Sequence, residues 1–113
     1  MKRGDVYQTV LDPAHGSEQA GTRPAIIVTR DAINSSSPVL IVVPLTDRAN
    51  KKHLYPSHVE MKMGEAGLTC DSVALCEQVR AIARTKLLKP MGHISNQRMS
   101  QVSASLKIAL DLP

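Results

Sequence analysis

The sequence predicts a mainly β domain of the α+β class, a small and partly open antiparallel barrel with one helix packed against it at the C-terminal end. Three observations predict it. Short β-type and apolar runs are separated by clusters of Gly, Pro and Ser. The early runs have no helical segment between them, which parallel pairing would need for its crossovers. The best apolar pattern at three- and four-residue spacing comes last, at Met99, Val102, Leu106 and Leu110.

Taken in order, Gly4–Leu11 carries Val6, Tyr7, Thr9 and Val10 and reads as the first strand. Asp12–Thr22 is a long polar loop. Pro24–Thr29 is almost unbroken in its apolar character, as expected of a strand buried on both faces. Asp31–Pro38, with Asn34 and three serines, reads as a turn. Val39–Leu45 is a second buried strand, and Pro44 predicts an edge or a bulge near its end. Arg48–Ser57 is a polar loop, His58–Met61 a short strand and Gly64–Gly67 a turn. Asp71–Ala83 reads as the longest strand. Period-two alternation puts Val73, Leu75, Glu77, Val79 and Ala81 on one face, with Ala74, Cys76, Gln78, Arg80 and Ile82 on the other. Thr85–Lys89 is expected to form a helical turn ended by Pro90. Ser95 caps a helix that runs to Leu110 and packs its apolar stripe on the core.

At 113 residues the chain is expected to form a single domain spanning 1–113. The apolar runs are far too short to cross a bilayer, and the charged start Met1-Lys2-Arg3 reads as no signal segment; the expected location is cytoplasmic. Cys70 and Cys76 fit neither a metal pair nor a CxxC redox motif, and no histidine and acidic cluster has metal-ligand spacing, so no metal or other cofactor is expected. Cys76 reads as a small buried residue and Cys70 as a free thiol. The net charge of +4 favours a polyanionic partner. With no Trp, no Phe and only Tyr7 and Tyr55, base stacking is scarce, so a nucleic-acid site must rely on Arg, Gln and backbone groups.

The candidate site begins in Gly16–Pro24. Gly16 and Gly21 permit sharp turns, and Pro24 holds Arg23 extended at the mouth of a buried strand. An antiparallel hairpin of Pro24–Thr29 and Val39–Leu45, centred between Asn34 and Ser35, sets Arg23 opposite Thr46 to within a residue or two. A planar donor fork and a rotatable hydroxyl converging at one rim make a phosphate clamp. Ser17, Glu18 and Gln19 in the adjoining loop offer hydrogen bonds to base edges or sugar hydroxyls. Gln78 and Arg80, on one face of the predicted long strand, extend that RNA-binding surface.

Four motifs carry a family resemblance: KRGDVY at Lys2–Tyr7, GSEQAGTRP at Gly16–Pro24, VVPLT at Val42–Thr46 and DSVALCEQVRAI at Asp71–Ile82. Together, in order and over nearly the whole chain, they resemble the MazF/PemK (Kid) toxins of bacterial toxin–antitoxin systems. The resemblance implies an SH3-like barrel with a C-terminal helix, a homodimer, and a ribosome-independent endoribonuclease that cuts single-stranded RNA at short sequences. It also implies a MazE-like antitoxin that occupies the RNA groove. By position, the family's catalytic arginine falls on Arg23 and its threonine on Thr46; its RNA-contacting loop glutamate falls on Glu18, and its glutamine on Gln78. The plasmid-borne branch has an Arg-x-Asp pair and a loop histidine where this chain has Leu75, Glu77 and Ser17, so the resemblance is to the chromosomal MazF branch.

The implied reaction needs no metal: the ribose 2′-hydroxyl attacks its own 3′-phosphodiester. Arg23 suits stabilisation of the developing phosphorane charge and is a poor base, since guanidinium stays protonated. Two other readings compete on the sequence: a toxin of the same fold that poisons gyrase, as CcdB does, and a small module that binds RNA without cutting it.

Overall fold

The computed structural model describes every residue, Met1–Pro113. Seven strands form one antiparallel sheet: β1 Asp5–Val10, β2 Thr22–Ile27, β3 Val39–Asp47, β4 His58–Met61, β5 Ser72–Leu75, β6 Arg80–Ala83 and β7 Leu87–His93. A one-turn helix, α1 Asp31–Asn34, sits in the β2–β3 connection, and α2 Asn96–Leu110 closes the chain. The strands run in the order β4-β5-β3-β2-β1-β7, with β6 also pairing β3. The two outer strands do not pair with each other, so the sheet curls into a barrel-like shape without closing.

β3 organises this arrangement. Its first half pairs with β6, from Val39↔Ala83 to Val42↔Arg80, and its last three residues pair with β5, from Leu45↔Ala74 to Asp47↔Ser72. On its other side, Ala25↔Pro44, Ile26↔Val43 and Ile27↔Val42 join it to β2. β3 is therefore central, contrary to the edge position that Pro44 suggested. Pro44 is tolerated because it lies in the short gap where β3 leaves β6 and has not yet met β5, a place with no ladder bond to lose.

Alternation along β2 and β3 feeds two cores. Ile26, Val43 and Leu45 enter the larger one with Val6, Met61, Leu68 and Cys76, where Val102 of α2 packs with Met99 and Leu106 at its margin. Ala25, Ile27, Leu40 and Val42 enter a smaller core with Ile82. Burial pushes the Cys76 thiol up to about 12, helped by the nearby Glu77 charge, so it remains a neutral packing group. Ser95 caps α2 by accepting from the Arg98 backbone N–H at 3.1 Å, as predicted. Leu110 does not join the packed stripe. It is exposed one turn beyond the end of the core, while the small Ser105 is buried in the helix's packing face.

Two other expectations fail for identifiable reasons. Asp71–Ala83 is two strands, split by a 3-10 turn at Cys76–Gln78, so the two predicted faces do not exist; Ser72–Leu75 is buried throughout. Of the helical turn predicted at Thr85–Lys89, Thr85 and Lys86 do lie in a 3-10 turn, Arg84–Lys86, but Leu87–Lys89 open strand β7. Pro90 does not stop a helix there. It occupies an outer strand that pairs only with β1 and meets it across two register shifts. Backbone closeness fixes the course of β7: a Cβ on Gly92 would lie 2.6 Å from the Ala66 carbonyl carbon, which only glycine avoids. The adjoining turn is tied to α2 by Arg98, whose Nε and Nη2 donate to the two Glu65 carboxylate oxygens at 2.9 and 3.1 Å. That fork holds the Glu65 carboxyl below the usual glutamate range.

Candidate nucleic-acid interface

The β2–β3 ladder has the predicted register from Ala25↔Pro44 to Ile27↔Val42, and that register continued two residues outward sets Arg23, paired with Thr9 of β1, opposite Thr46, paired with Val73 of β5. Alternation puts Arg23 in line with Ala25 and Ile27, and Thr46 in line with Leu40 and Val42, at the rim of the smaller core. Arg23 is partly buried, forms no ion pair, and uses only Nε, which donates to the Ala20 carbonyl at 3.2 Å. Its two terminal nitrogens are free to bind an anion.

The surroundings of Thr46 follow from the next four residues. The Asp47 carboxylate accepts from the Ala49 N–H at 2.9 Å and caps the turn Arg48–Asn50. That turn returns Asn50 over Thr46, where its side-chain amide donates to Oγ1 at 3.1 Å. With an acceptor site filled, the Thr46 hydroxyl keeps its own hydrogen to donate. The residue is only 3% exposed, so the hydroxyl is held rigidly. The sequence carries no signal for Asn50, because a loop asparagine looks like any other until the turn folds it back.

A separate open cleft of about 460 Å³ lies between the β1–β2 loop and the Cys76–Gln78 turn. His15, Ser17 and Glu18 form one wall; Glu77, Gln78 and Arg80 form the other. The loop is closed on itself: His15 O accepts from the Glu18 N–H at 3.2 Å, and Glu18 Oε1 accepts from the His15 N–H at 3.2 Å. Gln78 then clamps it, accepting from the Gln19 N–H at 2.8 Å and reaching the Ser17 carbonyl through Nε2 at 3.4 Å.

The structure thus gathers Ser17, Glu18, Gln78 and Arg80 around one cleft, with Gln19 attached through its backbone. Arg23 and Thr46 do not line it; Arg23 follows the loop at the start of β2, and Thr46 stands near the end of β3. Gln78 is engaged with protein at both ends of its amide, so an RNA contact by this side chain would replace a loop contact. Glu77, assigned by alternation to an apolar face, instead lines the cleft because the 3-10 turn breaks the alternation.

This chain matches the family of PemK-like, MazF-like toxins of type II toxin–antitoxin systems over residues 2–110. It belongs to that family. Relatives agree. It is 40% identical over 112 residues to the endoribonuclease MazF of Staphylococcus saprophyticus, covering 99% of this chain and 92% of that protein. Among solved structures, MazF from Deinococcus radiodurans superposes with a TM-score of 0.84 at 23% identity, covering 99% of this chain and 97% of that one. A mycobacterial endoribonuclease in complex with its cognate antitoxin gives 0.82 at 22% identity, covering 100% and 97%. These likenesses establish the MazF-like fold.

Proposed function

We propose that this endoribonuclease toxin of a toxin–antitoxin system cuts single-stranded RNA at short sequences, with Arg23 and Thr46 as its catalytic residues. The observation that supports the reading is the β2–β3 register from Ala25↔Pro44 to Ile27↔Val42, which continued two residues outward sets a partly buried, unpaired guanidinium opposite a hydroxyl that already accepts from Asn50. A phosphodiester bridging them is held by charge and by hydrogen bonds at once. The ribose 2′-oxygen then attacks phosphorus, the bond to the 5′-oxygen breaks, and the products are a 2′,3′-cyclic phosphate and a 5′-hydroxyl. The 2′ proton passes to solvent and a proton returns to the leaving oxygen. Arg23 stabilises the added charge on the non-bridging oxygens, and Thr46 orients them. Since neither is a good base, the rate is modest and comes from positioning and electrostatics.

The loop and turn around the neighbouring cleft, with Ser17, Glu18, Gln19, Gln78 and Arg80, read the sequence of the RNA. The chain acts as one unit over 1–113, in the cytoplasm where its mRNA substrates are, and a MazE-like antitoxin covers the RNA surface. It works as a homodimer. Supporting that reading, Val39 and Ile41 are exposed on β3, with Ala83 and Ala81 exposed opposite them on β6, an apolar sheet face that a second copy would cover.

The test is direct. Purified protein is incubated with a defined single-stranded RNA in excess EDTA, and the ends are characterised. Cyclic-phosphate and 5′-hydroxyl ends support the reading. Intact RNA with inhibited gyrase supercoiling returns the gyrase poison, and bound but uncut RNA returns the binding module.

A further inference from the structure

His58 and Glu77 form a unit that the ribonuclease reading does not use. His58, at the start of β4, has a side chain only 2% exposed, yet it is fully hydrogen-bonded. Its Nδ1 accepts from the Tyr55 backbone N–H at 3.2 Å. A backbone N–H can only donate, so the ring proton belongs on Nε2, which lies 2.9 Å from Glu77 Oε2. The other carboxylate oxygen accepts from Ser57 Oγ at 3.2 Å. Tyr55 closes the unit edge-on against the imidazole, with ring centroids 5.5 Å apart.

Two fixed donors therefore hold the carboxylate of Glu77 from behind, and the 41% of that side chain left exposed lines the cleft beside Gln78 and Arg80. An ionised carboxylate accepts about four hydrogen bonds, and two are taken. What remains is a pair of oriented acceptors with no donor of their own. Such a group discriminates in favour of a base edge rich in N–H groups, such as an exocyclic amino group, over one presenting carbonyl oxygens. The cleft is large enough for one unstacked base, and the other charged or titratable groups facing it are His15, Glu18 and Arg80.

We propose that Glu77 is a specificity-determining residue that reads an amino-bearing nucleobase of the RNA in this cleft, and that His58 is its positioning residue. The proposal rests on the ribonuclease reading and assigns one subsite within it.

The experiment is sequencing of the 5′ ends produced from a randomised single-stranded RNA pool by wild type, Glu77→Gln and His58→Gln. Glu77→Gln swaps one acceptor for a donor at an exposed position and is compatible with the fold. Its expected result is an about tenfold loss of discrimination, or an inverted preference, at one position of the recognised word. His58→Gln keeps a donor toward Glu77 with looser aim and relaxes the same position to a smaller degree. An unchanged Glu77→Gln profile, or complete inactivity of folded Glu77→Gln on every RNA, overturns the assignment. Relaxation by His58→Gln at a different position overturns its positioning role, and a His58→Gln protein that fails to fold leaves Glu77→Gln to decide the reading of the base. If wild type cuts no RNA, the ribonuclease reading itself has failed, a result distinct from all of these.

Discussion

The strand-end pair and the loop–turn cleft are built in opposite ways. Arg23 near the start of β2 and Thr46 near the end of β3 adjoin residues locked in the smaller core, Ala25 and Ile27 after the first and Leu40 and Val42 before the second. The cleft walls come from a self-closed loop and a three-residue turn joined by one glutamine amide. The comparison teaches a division of labour. Under the proposed ribonuclease reading, groups that must meet a phosphate within a fraction of an ångström are fixed by strands, while groups that distinguish bases sit on segments that can be rebuilt without disturbing the core.

Substitutions at the two regions break or sharpen that contrast. Arg23→Ala is expected to lower cleavage by about a hundredfold to a thousandfold or more with the fold intact, as its only side-chain bond is to the Ala20 carbonyl. Circular dichroism and cleavage rates check both halves; a folded Arg23→Ala protein at full activity removes the strand-end pair from the chemistry. Thr46→Val keeps the buried shape and removes the hydroxyl, so cleavage should fall about tenfold to a hundredfold, the worth of one hydrogen bond to a charged group. Gln78→Ala should behave differently, altering the preferred cleavage sites and making the Asp12–Gly21 loop more sensitive to protease, with little change in the urea midpoint. A large midpoint shift would mean that the cleft is part of the core after all.

Far from both regions, Arg98→Ala should cost about 1 kcal/mol at pH 7, because a two-bonded fork with both partners partly exposed is worth no more. The Glu65 carboxyl is lowered in the folded state, so this contribution is present above the ordinary glutamate value near about 4.3 and fades as pH falls through the lowered one. Urea titrations at pH 7 and pH 3 should show a smaller gap between the two proteins at the lower pH, with RNA cleavage unaffected at neutral pH.

The β2–β3 register is legible in the chain because pairing between two apolar strands is set by which residues must be buried. Slipping Ala25–Ile27 by one residue against Val42–Pro44 would exchange the two cores. The connection also resists slippage, since Arg84 donates to the Ser37 carbonyl at 3.0 and 2.8 Å and to that of Asn34. The cleft was only half legible. Its residues were named, but Asp71–Ala83 looks continuous by alternation, and nothing local marks Cys76–Gln78 as a turn. It forms because Ser72–Leu75 must pair with both β4 and the end of β3, while Arg80–Ala83 pairs with the beginning of β3. β7 was missed for a related reason: Pro90 reads as a helix stop unless the strand is known to lie outside, against β1 alone. The pairing of His58 with Glu77 joins residues that no periodicity connects.

The central claim is that Arg23 and Thr46 act on one and the same phosphate, and a double-mutant cycle on single-turnover cleavage of a defined RNA tests it most directly. Groups gripping a shared centre couple, so the Arg23→Ala/Thr46→Val protein should be scarcely slower than Arg23→Ala alone. If the two losses instead multiply in full, the residues act independently, and the shared clamp is wrong.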